Sequence, residues 1–127
     1  MAIGFGFDSH RLVEGRRLVL GGIEIAFAMG PSGHSDGDCL IHAVCDAILG
    51  AAGEGDIGEH FPDTDPAWKD ASSRRFLEDA ARLLVQRRLT IENIDATVVL
   101  EKPILSPYKR LMAAKIASAL CECCAPS

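Results

Sequence analysis

Three observations predict a single α+β domain, a mixed β-sheet packed on one face by helices. Alternating apolar stretches lie near both ends of the 127-residue chain, apolar residues recur at helical spacing between them, and no linker, repeat or low-complexity tract divides the sequence. Hydrophobic residues make up 48% and charged residues 24%, so one core can bury most of the apolar side chains and disorder is excluded.

Residues 2–8 (AIGFGFD) alternate small or polar with apolar side chains and predict a first strand, its two glycines marking a close backbone approach. Arg17 to Ile25 (RLVLGGIEI) predicts a second strand, paired with the first as a hairpin through the turn at Glu14-Gly15. Residues 28–37 (AMGPSGHSDG) are glycine- and proline-rich and predict a loop. Asp38 then opens a helix in which Leu40, Ile41, Val44, Cys45, Ile48 and Leu49 recur on one face, and Gly53 ends it. Glu54 to Asp70 is too polar for regular structure and predicts a long functional loop. Ser72 caps the next expected helix, with Phe76, Leu77, Ala80, Ala81, Leu84 and Val85 as its buried stripe up to Arg88. Thr90 to Leu100 is β-branched and alternating, a third strand. Ser106-Pro107 gives an N-cap with proline in the first turn of a last helix carrying Leu111, Ala114 and Leu120.

Charge and cysteine usage narrow the function. Thirteen basic against eighteen acidic residues give a net charge of -5, the wrong sign for a protein that neutralises a nucleic-acid backbone. An anionic ligand must then be held by a metal, by backbone amides or by a few local cations. No apolar run reaches the roughly 18 residues of a membrane span, and MAIGFGFDSHR lacks a basic leader followed by an apolar stretch. The expected location is cytoplasmic, as in bacteria, or soluble in an organelle. The five cysteines are an odd number, three of them crowded at 121, 123 and 124, which does not read as a secreted disulfide framework.

Asp8 and His10 stand two apart at the end of the first expected strand, so both side chains leave one face. His42 on the first helix can add a third ligand, and three protein ligands with a vacant position is the pattern of a zinc ion that also holds substrate or water. Asp38 and Asp46 flank His42 at i−4 and i+4, where either can orient the imidazole through its second nitrogen. On the residues alone, a strand-end aspartate with an exposed histidine and a hydrogen-bonded core histidine remains an open reading. His34 and Ser35, in a glycine-rich loop before a helix, can contact phosphate, or can belong to ordinary capping. The run from Asp56 to Asp65 can bind polyol hydroxyls, or can be a solvated loop of Asx-turns.

Taken in order, GFGFDSHR, LGGIEI, GHSDGDCLIHAVCDAILGAAGEGDIGEHFPDTDP and IDATVVLEKP closely resemble the 2-C-methyl-D-erythritol 2,4-cyclodiphosphate synthase family of the non-mevalonate isoprenoid pathway, from the first residues to about Ala119. The resemblance implies an enzyme, a phosphorus-oxygen lyase that cyclises 4-diphosphocytidyl-2-C-methyl-D-erythritol 2-phosphate and releases CMP. It also implies a homotrimer with active sites between subunits, and no nucleic-acid or membrane partner. Carried over by matching positions, Asp8, His10 and His42 are the implied ligands of zinc or another divalent transition metal. His34 and Ser35 match the phosphate-contacting loop. Asp56, Gly58, Phe61, Pro62, Asp63, Thr64 and Asp65 match the methylerythritol pocket, and Leu100, Pro103, Ile104, Leu105 and Ser106 match the segment around cytosine.

Two departures stand out. Ile104 occupies a position where the family often has lysine, with Lys102 two residues away. The family also continues past the last helix into a strand with a Thr-Thr-x-Glu motif, whose glutamate holds a second ion, magnesium or manganese; residues 1–127 are therefore expected to form one domain without that strand or that ligand. The alternative function is a non-catalytic relative that binds zinc and a phosphorylated sugar without turnover.

Overall fold

The computed structural model describes residues 1–33, 35–62, 64–68 and 72–124, with the backbone alone at positions 68 and 122–124. The class is α+β, as expected. In chain order come β1 (Leu12–Glu14), β2 (Leu18–Leu20), β3 (Ile23–Ile25), β4 (Met29–Pro31), α1 (Cys39–Ala51), α2 (Ile57–His60), α3 (Arg74–Gln86) and α4 (Lys109–Cys124), with 3-10 turns at Pro66–Trp68 and Ser106–Tyr108.

The strands differ from the expected mixed sheet. Among the described residues they form two antiparallel pairs, β1 with β4 and β2 with β3. The run from Arg17 to Ile25 is a hairpin in itself, because Gly21 and Gly22 take φ of +58° and +77° and place Leu20 opposite Ile23. Two consecutive left-handed residues make the turn whose twist matches that of paired strands. The expected loop at 28–37 supplies β4, whose Pro31 lies opposite Leu12.

Residues 2–8 and 90–100 have no strand partner among the described residues, so the expected hairpin between 2–8 and 17–25 does not form. The alternation of the first segment serves helix packing instead. A β-carbon on Gly4 would stand 1.8 Å from the Ala47 carbonyl oxygen, and one on Gly6 1.8 Å from that of Ala43, so this backbone lies directly on α1. Ile3, Phe5 and Phe7 face the other way and are exposed. A cleft of about 530 Å³ separates this segment from residues 94–100, with Ala43, Val44 and Ala47 of α1 among its lining residues.

The core joins Leu18, Leu20 and Ile25 of the hairpin to the apolar stripes of α1, α3 and α4. On α1 the buried residues are Leu40, Ile41, Val44, Cys45, Ile48 and Leu49, the face expected from their spacing. Asp38 caps this helix, its carboxylate accepting the Ile41 N–H at 3.0 Å. α3 buries Phe76, Leu77, Ala80, Ala81 and Leu84, while Val85, expected in the same stripe, is 48% exposed at its margin. Its N-cap is Ser73 rather than Ser72, and the Ser73 hydroxyl makes no capping bond. α3 closes with Arg88 in the left-handed region, φ 57°, while the Leu89 N–H donates to Leu84 and that of Arg88 to Val85, the paired bonds that satisfy a helix end. The Ser106-Pro107 start makes one 3-10 turn before α4 begins at Lys109.

Candidate metal centre

Asp8 ends the segment laid on α1 by Gly4 and Gly6, His10 follows two residues later, and His42 projects from the second turn of α1. The three side chains meet. Asp8 Oδ2 lies 2.7 Å from His10 Nε2 and 3.3 Å from His42 Nδ1, and the two imidazole nitrogens are 3.3 Å apart. The rings stand edge to face, with centroids 5.3 Å apart.

This arrangement suits a cation better than it suits the three groups alone. Asp8 Oδ2 is buried and has no partner in hydrogen-bond geometry. His10 Nδ1–H donates to the Ser32 carbonyl at 3.1 Å, which leaves the Nε2 lone pair aimed at Asp8. One carboxylate and two imidazoles therefore converge, a donor set that can hold a divalent metal ion. Donors at about 2.0–2.1 Å from a tetrahedral ion are about 3.3 Å from one another.

The electrostatics agree. Burial raises the Asp8 carboxyl, but the contacts and charges of His10 and His42 outweigh it and hold the group well below the usual carboxylate range. The short contact with Asp8 raises His10, against the effect of burial. Cys39 Sγ donates to the Asp8 carbonyl at 3.0 Å; burial pushes that thiol up to about 12, so it stays protonated and ties the segment bearing Asp8 to the start of α1.

Neither carboxylate expected to orient His42 does so. Asp38, fully buried, accepts the N–H groups of Gly21 (2.9 Å) and Ile41 (3.0 Å) on Oδ1 and of Gly22 (2.7 Å) on Oδ2, so it is spent on backbone donors beneath the hairpin. Burial pushes its carboxyl up to about 6, opposed by those N–H groups. Asp46 Oδ1 accepts the Ile57 N–H at 2.8 Å and anchors α2; burial raises it as well. The outer nitrogen of His42 instead faces two hydroxyls, Ser73 Oγ at 2.8 Å and Ser35 Oγ at 3.3 Å. Asp36 accepts both the hydroxyl and, at 2.9 Å, the N–H of Ser73. Ser73 and Asp36 escaped sequence reasoning. Their only signals were the Ser72-Ser73 doublet, which reads as a helix cap, and the first acidic residue of HSDGD.

The other expected residues are more dispersed. Ser35 is buried, its hydroxyl turned to His42 and to the Gly37 N–H. His34 and Asp63 lie outside the described residues, as do the side chains of Cys123 and Cys124. Asp56 caps α2 by accepting the Glu59 N–H at 2.9 Å, and Gly58 is exposed on that helix. Phe61 stacks on Phe76 at 4.6 Å, and Phe76 lies 5.8 Å from the His42 ring, so the 56–65 loop leans on the centre through two aromatic rings. Pro62, Thr64 and Asp65 are exposed. Leu100 lines the cleft that also contains Asp8 and His10. Pro103 is half-buried, Ile104 is 76% exposed, Ser106 opens the 3-10 turn, and Leu105 lines a separate cavity of about 680 Å³ against α1 and α4. Among the described residues no helix is long and apolar enough to cross a membrane.

Comparison with known proteins bears on this geometry. A model described as the YgbB family matches residues 1–125. The chain is 55% identical over 120 residues to the 2-C-methyl-D-erythritol 2,4-cyclodiphosphate synthase of Desulfatibacillum aliphaticivorans, covering 94% of this chain and 77% of that protein. It is 56% identical over 109 residues to the synthase of the same name from Aquifex aeolicus, covering 86% and 70%. A solved synthase in its CDP-bound form superposes with a TM-score of 0.78 at 41% identity, over 93% of this chain and 79% of that one. The bifunctional IspDF from Campylobacter jejuni gives 0.82 at 43% identity, over 94% of this chain and 32% of its own.

Proposed function

The chain belongs to the YgbB family, shared with the 2-C-methyl-D-erythritol 2,4-cyclodiphosphate synthases it matches, and from that membership we propose how its own residues carry out the reaction. The function is that of a cyclodiphosphate synthase, a lyase of isoprenoid biosynthesis, and the relatives' names do not favour the non-catalytic alternative. The substrate is 4-diphosphocytidyl-2-C-methyl-D-erythritol 2-phosphate. An oxygen of its 2-phosphate attacks the β-phosphorus while the bond to the CMP phosphate breaks, so the products are the cyclic diphosphate and CMP. No protein nucleophile is needed, and positioning supplies most of the rate.

The observation that carries this reading is the convergence of Asp8 Oδ2, His10 Nε2 and His42 Nδ1 within 3.3 Å of one another. Asp8, His10 and His42 would hold a divalent ion, zinc in this reading, which would supply Lewis-acid polarisation and a template for the phosphates. Ser32 and Ser73 hold the two imidazoles from behind. His34 and Ser35 contact phosphate, Ser35 through its backbone because its hydroxyl faces inward. Asp56, Gly58, Phe61, Pro62, Asp63, Thr64 and Asp65 receive the methylerythritol hydroxyls, with the Phe61–Phe76 stack walling the metal side from water. Leu100, Pro103, Ile104, Leu105 and Ser106 surround the cytosine. A second ion, magnesium or manganese, would neutralise charge on the diphosphate, and no ligand for it is assigned among the described residues.

We further assign active sites shared between subunits of a homotrimer in the cytoplasm or an organelle lumen. The exposed row of Ile3, Phe5 and Phe7 supports subunit association, since contiguous exposed apolar surface is uncommon on a monomer. CMP release from the authentic substrate with added zinc and magnesium tests the whole. Metal-dependent turnover is the expected result; tight binding of the substrate without CMP would return the alternative.

A further inference from the structure

Two hydroxyls face His42 Nε2 from behind, Ser35 Oγ at 3.3 Å and Ser73 Oγ at 2.8 Å, and the nearer of them is set by Asp36. Asp36 takes two bonds from Ser73, the main-chain N–H at 2.9 Å on Oδ2 and the hydroxyl on Oδ1, and its Oδ1 also accepts the Asp38 N–H at 3.0 Å. The Ser73 hydroxyl donates to Asp36 Oδ1, which commits its single proton to that bond. What Ser73 Oγ then presents to His42 Nε2, 2.8 Å away, is a lone pair. Nε2 therefore carries a ring proton, and in the neutral imidazole Nδ1, on the opposite side of the ring, keeps its lone pair, 3.3 Å from Asp8 Oδ2. Ser73 is fully buried, so no bulk water competes for its hydroxyl.

We propose that Ser73, clasped by Asp36, is a positioning residue that fixes His42 in the Nε2–H tautomer and so turns the Nδ1 lone pair into the Asp8–His10 cluster. The proposal deepens the reading of those three residues as ligands and rests on it. It explains why Ser73 stands at the N-cap of α3 without capping it: the hydroxyl is diverted to Asp36 and His42. It also makes the start of α3 part of the centre, through a residue 31 positions from His42 in sequence.

The test separates the relay from metal binding. Nitrogen-15 spectra of histidine side chains in the metal-free protein at pH 8 read the tautomer directly, and zinc competition against a chromogenic chelator reads affinity. The wild-type protein should show His42 protonated at Nε2. Ser73→Ala should give a mixture of tautomers and weaken zinc by about 10- to 100-fold, the loss typical when a ligand histidine is no longer oriented from behind. Ser73→Thr, which restores the hydroxyl, should recover most of both. His10, anchored separately by the Ser32 carbonyl, should keep its Nδ1–H tautomer throughout. Should Ser73→Ala not fold, Asp36→Ala frees the Ser73 proton and should also mix the tautomers. Retention of the pure Nε2–H form together with wild-type zinc affinity in the serine variant, or in the aspartate variant if the serine variant does not fold, would overturn the proposal. Failure of the wild-type protein to bind zinc would instead overturn the ligand reading, and the tautomer spectra would still decide the relay.

Discussion

Gly6 and Ala43 touch backbone to backbone: a β-carbon on the glycine would fall 1.8 Å from the alanine carbonyl oxygen and 2.8 Å from the Ala47 nitrogen. These are helix main-chain atoms, which cannot move aside as a flexible side chain can. The contact sets how near Asp8, two residues on, comes to His42. Gly6→Ala should therefore destabilise the protein by about 1–3 kcal/mol, the usual cost of overpacking, and weaken zinc binding with it. A urea midpoint and a zinc dissociation constant both equal to wild type would contradict the packing argument.

His42→Ala should empty the metal centre while leaving α1 in place, because Leu40, Ile41, Val44 and Cys45 hold that helix in the core without the imidazole. Elemental analysis should find the zinc content of purified protein reduced to a small residue, with an unchanged far-ultraviolet circular dichroism spectrum. Full metal content in this variant would remove His42 from the ligand set.

Asp46→Ala discriminates between two roles for a carboxylate one helical turn from a ligand. Its 2.8 Å bond goes to the Ile57 N–H, so the variant should lose about 1 kcal/mol of stability and raise KM by loosening the loop that follows α2. Zinc affinity should change by less than about threefold, against the 10- to 100-fold expected had Asp46 oriented His42. A loss in that larger range would reinstate the orienting role.

Asp38 gives the fold a pH dependence of definite sign. Its carboxyl is raised from 3.8 in the unfolded chain to about 6 when buried, so the folded state keeps a proton that the unfolded state has released. Its contribution to stability is full below about pH 3.8, falls as pH rises toward 6, and is level above that. Asp38→Asn should remove this fall, and the difference in unfolding free energy between wild type and variant should change between pH 4 and 6 and then stay flat. A difference that is constant across that window would place the proton elsewhere.

The long helices α1 and α3 were legible because each carries its own evidence, whereas α2 formed within the expected loop 54–70 and α4 buries Met112 and Ile116 while Leu111 and Ala114, expected in its stripe, are exposed. The stripe from Leu40 to Leu49 needs only helical spacing, and Asp38 and Gly53 bound it within a residue or two. The convergence of Asp8, His10 and His42 was legible through the family resemblance, which matches all three together, while the residues taken alone left it open. Much of what failed depends on a partner distant in sequence. The alternation of 2–8 and 90–100 is real, but a strand exists only when a neighbour completes its ladder, and alternation does not say which neighbour. The run across Gly21-Gly22 hid a turn because apolar residues flank it on both sides. The backing of His42 was assigned to Asp38 and Asp46 on helical proximity, whereas the atoms that reach it belong to Ser35 and to Ser73, the latter brought up only when α3 packs on α1.

The Asp38 carboxylate holds the Gly21 and Gly22 amides and the first turn of α1 at once, so the hairpin cannot lift away without also fraying the helix that bears His42. Local opening and cation release are thereby thermodynamically linked, although the hairpin supplies no donor to the ion. Loading the protein with zinc should slow deuterium uptake at those two glycine amides, making occupancy of the centre readable from the hairpin turn.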